Sequence, residues 1–251
     1  VPMDEDGYMP RILPTENPEK ILVYTMNRHQ DVLNLYTVNP RSTLSQLLIK
    51  ESVAKYVKEE AMEAIRIGKD YILMPSDRDG YMHLYLYSQN GKLLRKIGDG
   101  RYDITKVYGY DEKTGDVYYQ AAPLNPHDRQ IMVTRKNGKT VRLTNQEGWN
   151  EAIFSGDCKY FVNTWSDINN PYVYTTRNNQ GKVIATNLDN KELQAKTRQY
   201  GWTKNEMFSF TTSEGVKLDG WMVKPANFDP NKKYPVIMFQ YSGPGSQQVV
   251  N

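Results

Sequence analysis

The chain has 251 residues, with 32 Lys plus Arg against 29 Asp plus Glu and a formal net charge of +3. A balance so near neutral, with no basic cluster of five or more residues, excludes an extended nucleic-acid or polyanion surface. No run approaches the ~18 apolar residues of a membrane-spanning helix, and the lone cysteine, Cys158, excludes an internal disulfide.

The start, Val1-Pro2-Met3-Asp4-Glu5, lacks a signal-peptide pattern and an initiating Met, so a fragment of a longer protein is expected. Nineteen tyrosines, many alternating with polar residues, fit pleated strands better than helices.

Units of similar layout follow one another to about residue 190. The first has Ile21 to Tyr24, a turn from Asn27 to Asp31, and Leu33 to Val38. A weakly amphipathic helix is predicted over Ser52 to Ala64. The second unit has Tyr71 to Met74, a turn from Ser76 to Gly80, Leu84 to Tyr87, and Leu93-Leu94. The third has Val117 to Gln120, Ile131 to Val133 and Val141 to Leu143. The fourth has Tyr160 to Val162, Tyr172 to Tyr174 and Val183-Ile184.

Gly-Lys turns at 91, 138 and 181 lie 47 and 43 residues apart. Asn-Gly between alternating runs predicts type I′ hairpins, which need φ > 0 at both central residues. Three or four antiparallel strands per 40–50 residues is the signature of propeller blades; a meandering β-sandwich is the competing reading.

Leu188 to Asn205 reads as a polar connector. Met207 to Thr212 and Val216 to Val223 then form a hairpin that breaks the blade pattern. A proline-bounded loop, Pro225 to Lys233, leads to a buried-type apolar strand, Val236 to Phe239, within Tyr234 to Tyr241. The following Gly243-Pro244-Gly245 turn exposes backbone just past the end of that strand, where open α/β sheets place catalytic groups.

Other reactive residues read as structural. Cys158 is expected to be a half-buried strand residue. His29, His83 and His127 fall in blade turns, where solvated or turn-bonded roles are expected. No two histidines are three or four residues apart, so no zinc site and no cofactor is expected.

The stretches Asp219-Gly220-Trp221-Met222-Val223-Lys224-Pro225, Phe228-Asp229-Pro230-Asn231-Lys232-Lys233-Tyr234-Pro235-Val236-Ile237 and Tyr241-Ser242-Gly243-Pro244-Gly245-Ser246-Gln247 resemble the propeller-to-hydrolase junction of the prolyl oligopeptidase family. Within that family the last stretch is most similar to the dipeptidyl peptidase IV branch. Ser76-Asp77-Arg78-Asp79-Gly80-Tyr81-Met82-His83 is the best match upstream.

The resemblance implies an all-β partial β-propeller over 1–200, about four antiparallel blades of an eight-bladed parent. The first strands of an α/β-hydrolase domain would follow over 201–251. It implies a bacterial serine peptidase that removes Xaa-Pro or Xaa-Ala dipeptides from peptides with free N-termini. The propeller would gate access, and the compartment would be the periplasm or cell surface.

Tyr241 matches the family tyrosine whose hydroxyl is one donor of the oxyanion hole. No Gly-x-Ser-x-Gly elbow occurs in the sequence, so this segment is expected to be inactive by itself. Glu59 and Glu60 resemble the family's amine-binding pair, but they lie too near the junction in sequence, and a solvated helix face is the favoured reading. A non-catalytic relative serving as a protein-interaction module is the competing function. An incomplete ring of blades leaves open strand edges, so a homodimer or other edge-mediated association is expected, with the 206–251 tail poorly ordered or packed opportunistically on a neighbour.

Overall fold

The computed structural model describes residues 1–241, 243 and 245–251. Four antiparallel sheets follow one another, each a four-stranded meander in chain order. The first contains β1 (Ile12–Pro14), β2 (Ile21–Met26), β3 (Val32–Val38) and β4 (Ser45–Ser52). The second contains β5 (Arg66–Ile67), β6 (Tyr71–Ser76), β7 (His83–Ser88) and β8 (Leu93–Ile97). The third contains β9 (Ile104–Asp111), β10 (Asp116–Ala121), β11 (Gln130–Thr134) and β12 (Thr140–Arg142). The fourth contains β13 (Trp149–Phe154), β14 (Tyr160–Asp167), β15 (Asn170–Asn178) and β16 (Val183–Leu188).

A separate hairpin, β17 (Asn205–Thr211) with β18 (Lys217–Val223), completes the strands. This is a nearly all-β chain of blade-like sheets, a partial β-propeller.

Burial explains which strands the sequence reveals. The second and third strands of the first three blades are largely buried, and β10 and β11 are buried throughout, whereas β14 buries only every second residue at its start. Fourth strands are more exposed, and every residue of β16 faces water, although β4 still buries Leu48, Ile49 and Glu51. Leu22, Tyr24, Leu33 and Leu35 of the first sheet share one apolar core with Ile72, Met74, Tyr85 and Tyr87 of the second. Each such side chain contributes roughly 1.5–3 kcal/mol by leaving water. Polar groups join the same two sheets: Glu51, 3% exposed, accepts the Ser76 hydroxyl at 2.5 Å and pairs with Arg78.

The chain divides into two compact units, residues 1–121 with 134–140, and residues 122–133 with 141–251.

Several local expectations are corrected. The helix predicted over Ser52 to Ala64 shrinks to α1 (Glu60–Glu63): Ser52 closes β4, and residues 53–58 form an irregular connection before the helix. The polar connector contains α2 (Lys191–Gln199), a helix with no buried residue. The Gly-Lys turns are not type I′. Gly91, Gly138 and Gly181 have φ of 80°, 86° and 85°, whereas Asn90, Asn137 and Gln180 are absent from the residues with positive φ. Each glycine N–H reaches back to the carbonyl three residues earlier, Ser88, Arg135 or Asn178. A type I turn closed by one left-handed glycine is therefore the geometry, the three-residue hairpin that carries a bulge. Register shifts between the third and fourth strands of the second and fourth sheets agree with it.

Candidate functional site

The residues with a claim on chemistry gather around the hairpin and tail of the second compact unit. In β17–β18, Phe208 pairs with Gly220, and a Cβ at Gly220 would come within 2.6 Å of the Phe208 ring, so only glycine lets that ring lie flat across the ladder. Beside it, the Ser209 hydroxyl donates to Asp219 Oδ1 at 2.5 Å, and His127 Nε2 lies 2.9 Å from Asp219 Oδ2. These two partners, the serine first, hold the Asp219 carboxyl below the usual carboxylate range.

Ser, Asp and His thus meet in space, but in the wrong order for hydrolysis. A catalytic triad needs the imidazole between hydroxyl and carboxylate so that it can take the serine's proton. Here the carboxylate stands in the middle, and the trio ties the 122–129 loop to β18. The His127 side chain is therefore bonded across 92 residues of sequence, while its backbone N–H is bonded within its own turn.

The strand expected over Val236 to Phe239 does not form. Val236, Ile237, Met238 and Phe239 are 85%, 98%, 80% and 77% exposed. Strand residues are stabilised by cross-strand neighbours, and among the described residues this segment has no pairing partner.

Tyr241 is 62% exposed at the end of that run. Its ring folds back over Gly243, where an added Cβ would sit 2.7 Å from the phenol oxygen. The turn closes through the Ser246 N–H, which donates to the Gly243 carbonyl at 3.1 Å. Ser242 and Pro244, which belong to the expected turn, lie outside the described residues.

The tail beyond this turn is held against the 125–129 loop of the same unit. Gln247 Nε2 donates to the Pro126 carbonyl at 2.5 Å, while Arg129 donates to Gln247 Oε1 at 2.6 Å. Asn251 Nδ2 donates to Asp128 Oδ1 at 2.9 Å. The receiving loop is rigid for local reasons: Asn125 Oδ1 accepts the His127 and Asp128 N–H groups, each at 2.9 Å. Nothing in the periodicity of the sequence marks 125–129, because its partners lie about 120 residues downstream. An open cleft of ≈ 340 Å³ borders this region, lined by Trp149, Glu151, Thr164, Tyr172 and Asn251 among others.

A family model described as the dipeptidyl peptidase IV (DPP IV) N-terminal region matches residues 2–172. The chain belongs to the dipeptidyl peptidase IV family. Its fold superposes on the crystal structure of Porphyromonas gingivalis dipeptidyl peptidase 4 with a TM-score of 0.94 and 36% identity, covering 100% of this chain and 36% of that one. Dipeptidyl peptidase 4 of Arthroderma otae is 29% identical over 187 residues, which are 72% of this chain and 24% of that protein. The Trichophyton rubrum enzyme of the same name is 28% identical over the same shares. The chain thus spans about a quarter of the length of these fungal dipeptidyl peptidase IV relatives.

The remaining candidates sit apart from Tyr241 in sequence. Glu59 and Glu60 are both exposed, at the start of α1. Cys158 is a buried turn residue with φ 55°, not a half-buried strand residue. His29 is exposed in the β2–β3 turn. Among the described residues no group of three or more His, Cys, Asp or Glu could hold a metal ion, and no helix is long and apolar enough to cross a membrane.

Against the expectation of a solvated or turn-bonded residue in a blade turn, His83 lies in a strand and is buried. It opens β7 at 2% exposure, with Nε2 3.1 Å from the Gly100 carbonyl and Nδ1 without a partner. Burial, reinforced by the Lys96 ammonium, pushes its pKa below 6.5 despite Asp79 and Asp103 nearby. The unfolded chain therefore takes up this proton first as pH falls. The stability present above about pH 6.5 is lost on acidification until the folded histidine protonates as well. Urea midpoints measured from pH 7.5 to 5 are expected to fall less steeply in His83→Gln, which keeps a donor for Gly100. Parallel curves for the two proteins would refute the assignment.

Proposed function

We propose that the chain is the propeller segment (1–200) and the opening strands of the hydrolase domain (201–251) of a serine-type dipeptidyl peptidase. That enzyme would release Xaa-Pro and Xaa-Ala dipeptides from free N-termini, in the periplasm or at the cell surface. Family membership over residues 2–172 carries the reading.

Two features of the second unit support the domain assignment. β18 places Trp221 and Met222 on opposite faces with both exposed, so the hairpin is built to be covered on two sides. Val236 to Phe239 is apolar without interruption, the composition of a strand buried within an α/β sheet. Tyr241, at the end of that run, supplies the phenolic donor for a developing oxyanion, and blades hinder folded polypeptides from reaching it. Glu59 and Glu60 remain weak candidates for the substrate amine; their exposure on a four-residue helix favours the solvated reading.

The full-length protein is expected to cleave a Gly-Pro chromogenic dipeptide and to leave its N-acetylated form intact. No cleavage of the free dipeptide would favour the alternative, a non-catalytic relative acting as an interaction module. The exposed outer strand β16, with Val183, Ile184 and Leu188 on its surface, is the edge at which we place self-association. A monodisperse monomer by light scattering would count against that edge.

A further inference from the structure

The tail's anchor is more elaborate than a surface contact requires. Arg129 is 7% exposed and its guanidinium is fixed from several directions. Nη1 donates to the carbonyls of Pro126 at 2.9 Å and Asp128 at 2.8 Å, and the guanidinium carbon lies 4.5 Å over the Trp149 ring. The remaining arm donates to Gln247 Oε1. Because the Gln247 amide nitrogen is bound by Pro126 at the same time, the amide is gripped at both ends and its orientation is set.

A second grip lies four residues on. Asp128, 1% exposed, is held by Asn125 Nδ2 at 2.7 Å and by the Gly148 N–H at 3.0 Å. It accepts Asn251 Nδ2, while the Asn251 N–H donates to the His127 carbonyl at 3.1 Å. Tracing back from Gln247, the Ser246 N–H closes the turn on Gly243, and Gly243 is the surface on which the Tyr241 phenol rests. A continuous path of contacts thus runs from a buried arginine in the blade loop to the phenol oxygen.

We propose that Arg129 is a positioning residue for Tyr241: by clamping Gln247 it fixes the turn that aims the phenol at the reacting carbonyl. This inference rests on the reading of Tyr241 as an oxyanion donor. A charge-assisted bond suits the task, being shorter and stiffer than a neutral one. The requirement is severe, since a misplacement of about 1 Å at a catalytic group can cost about 10²-fold in rate.

The test is a double-mutant cycle in the full-length protein, assayed on a Gly-Pro chromogenic dipeptide. Arg129→Met is expected to lower kcat about ten- to a hundredfold with KM within about threefold. Arg129→Lys, which keeps the charge but loses the fork, should recover part of the loss. In a Tyr241→Phe background, Arg129→Met should lower kcat less than about twofold, because the group it positions is gone. Losses that multiply in the double variant, or an unchanged kcat in the single one, would overturn the proposal.

Should Arg129→Met fail to fold, Gln247→Leu breaks the same clamp from its exposed side and carries the same expectations. Full activity of Tyr241→Phe would remove the oxyanion reading and the positioning role together. Hydrogen exchange then judges the clamp itself: amides of 245–251 should exchange about tenfold faster in Arg129→Met than in the parent. Equal rates would mean that no clamp exists.

Discussion

Tyr241→Phe in the full-length protein is expected to lower kcat on a Gly-Pro chromogenic dipeptide by about 10²- to 10³-fold, the cost of removing one oxyanion-hole donor. KM should move little, because the hydroxyl meets its partner only as the carbonyl oxygen acquires charge. The substitution separates chemistry from folding cleanly. Phenylalanine keeps the ring that lies over Gly243. The side chain is 62% exposed, so stability should change by less than about 0.5 kcal/mol. A thermal midpoint equal to that of the parent, alongside the loss of kcat, is the expected pair of results. Parental kcat would leave Tyr241 as an aromatic residue that merely closes a turn.

What could be read from the residues follows burial. β2, β6 and β10, with the strands after them, announce themselves because they are largely buried and their apolar runs are long, while β14 shows itself by alternation, burying Phe161, Asn163 and Trp165. The strands that open each blade do not: β5 is the dipeptide Arg66–Ile67, and β1 is three residues ending in Pro14. They exist because a neighbouring strand offers a ladder, which is tertiary information. Val236 to Phe239 failed in the opposite direction. Its composition encodes burial, but with no pairing partner among the described residues it stays extended and exposed. Tyr241 is a candidate on its flanking motif alone. The contacts of Arg129 are not legible that way, since Trp149 and Gln247 are brought to it only by folding. His83 was misjudged because a turn sequence precedes it, while its own side chain enters the sheet.

Gly181→Ala and Gly91→Ala are expected to cost about 3 kcal/mol each, and Gly138→Ala only about 1 kcal/mol. All three glycines occupy the same left-handed position of the same turn, with φ between 80° and 86°. The backbone term, ~1 kcal/mol for an L-residue forced into that region, is therefore common to them. Their surroundings differ. A Cβ at Gly138 would meet nothing within 4 Å, whereas one at Gly91 would lie 2.9 Å from Leu48 Cα and one at Gly181 2.9 Å from Leu143 Cα, each also overlapping the carbonyl oxygen of that leucine. Backbone cannot rotate aside as a side chain would, so overpacking adds ~1–3 kcal/mol at these two sites. The contact recurs between successive blades: Gly91 belongs to the second sheet and Leu48 to β4 of the first, while Gly181 belongs to the fourth and Leu143 directly follows β12 of the third. In a propeller that contact sets how closely one blade's turn approaches the outer strand of the blade before it. Urea midpoints for the three variants should therefore split two against one. Three equal losses would show that only the backbone angle, and not the approach between blades, requires glycine here.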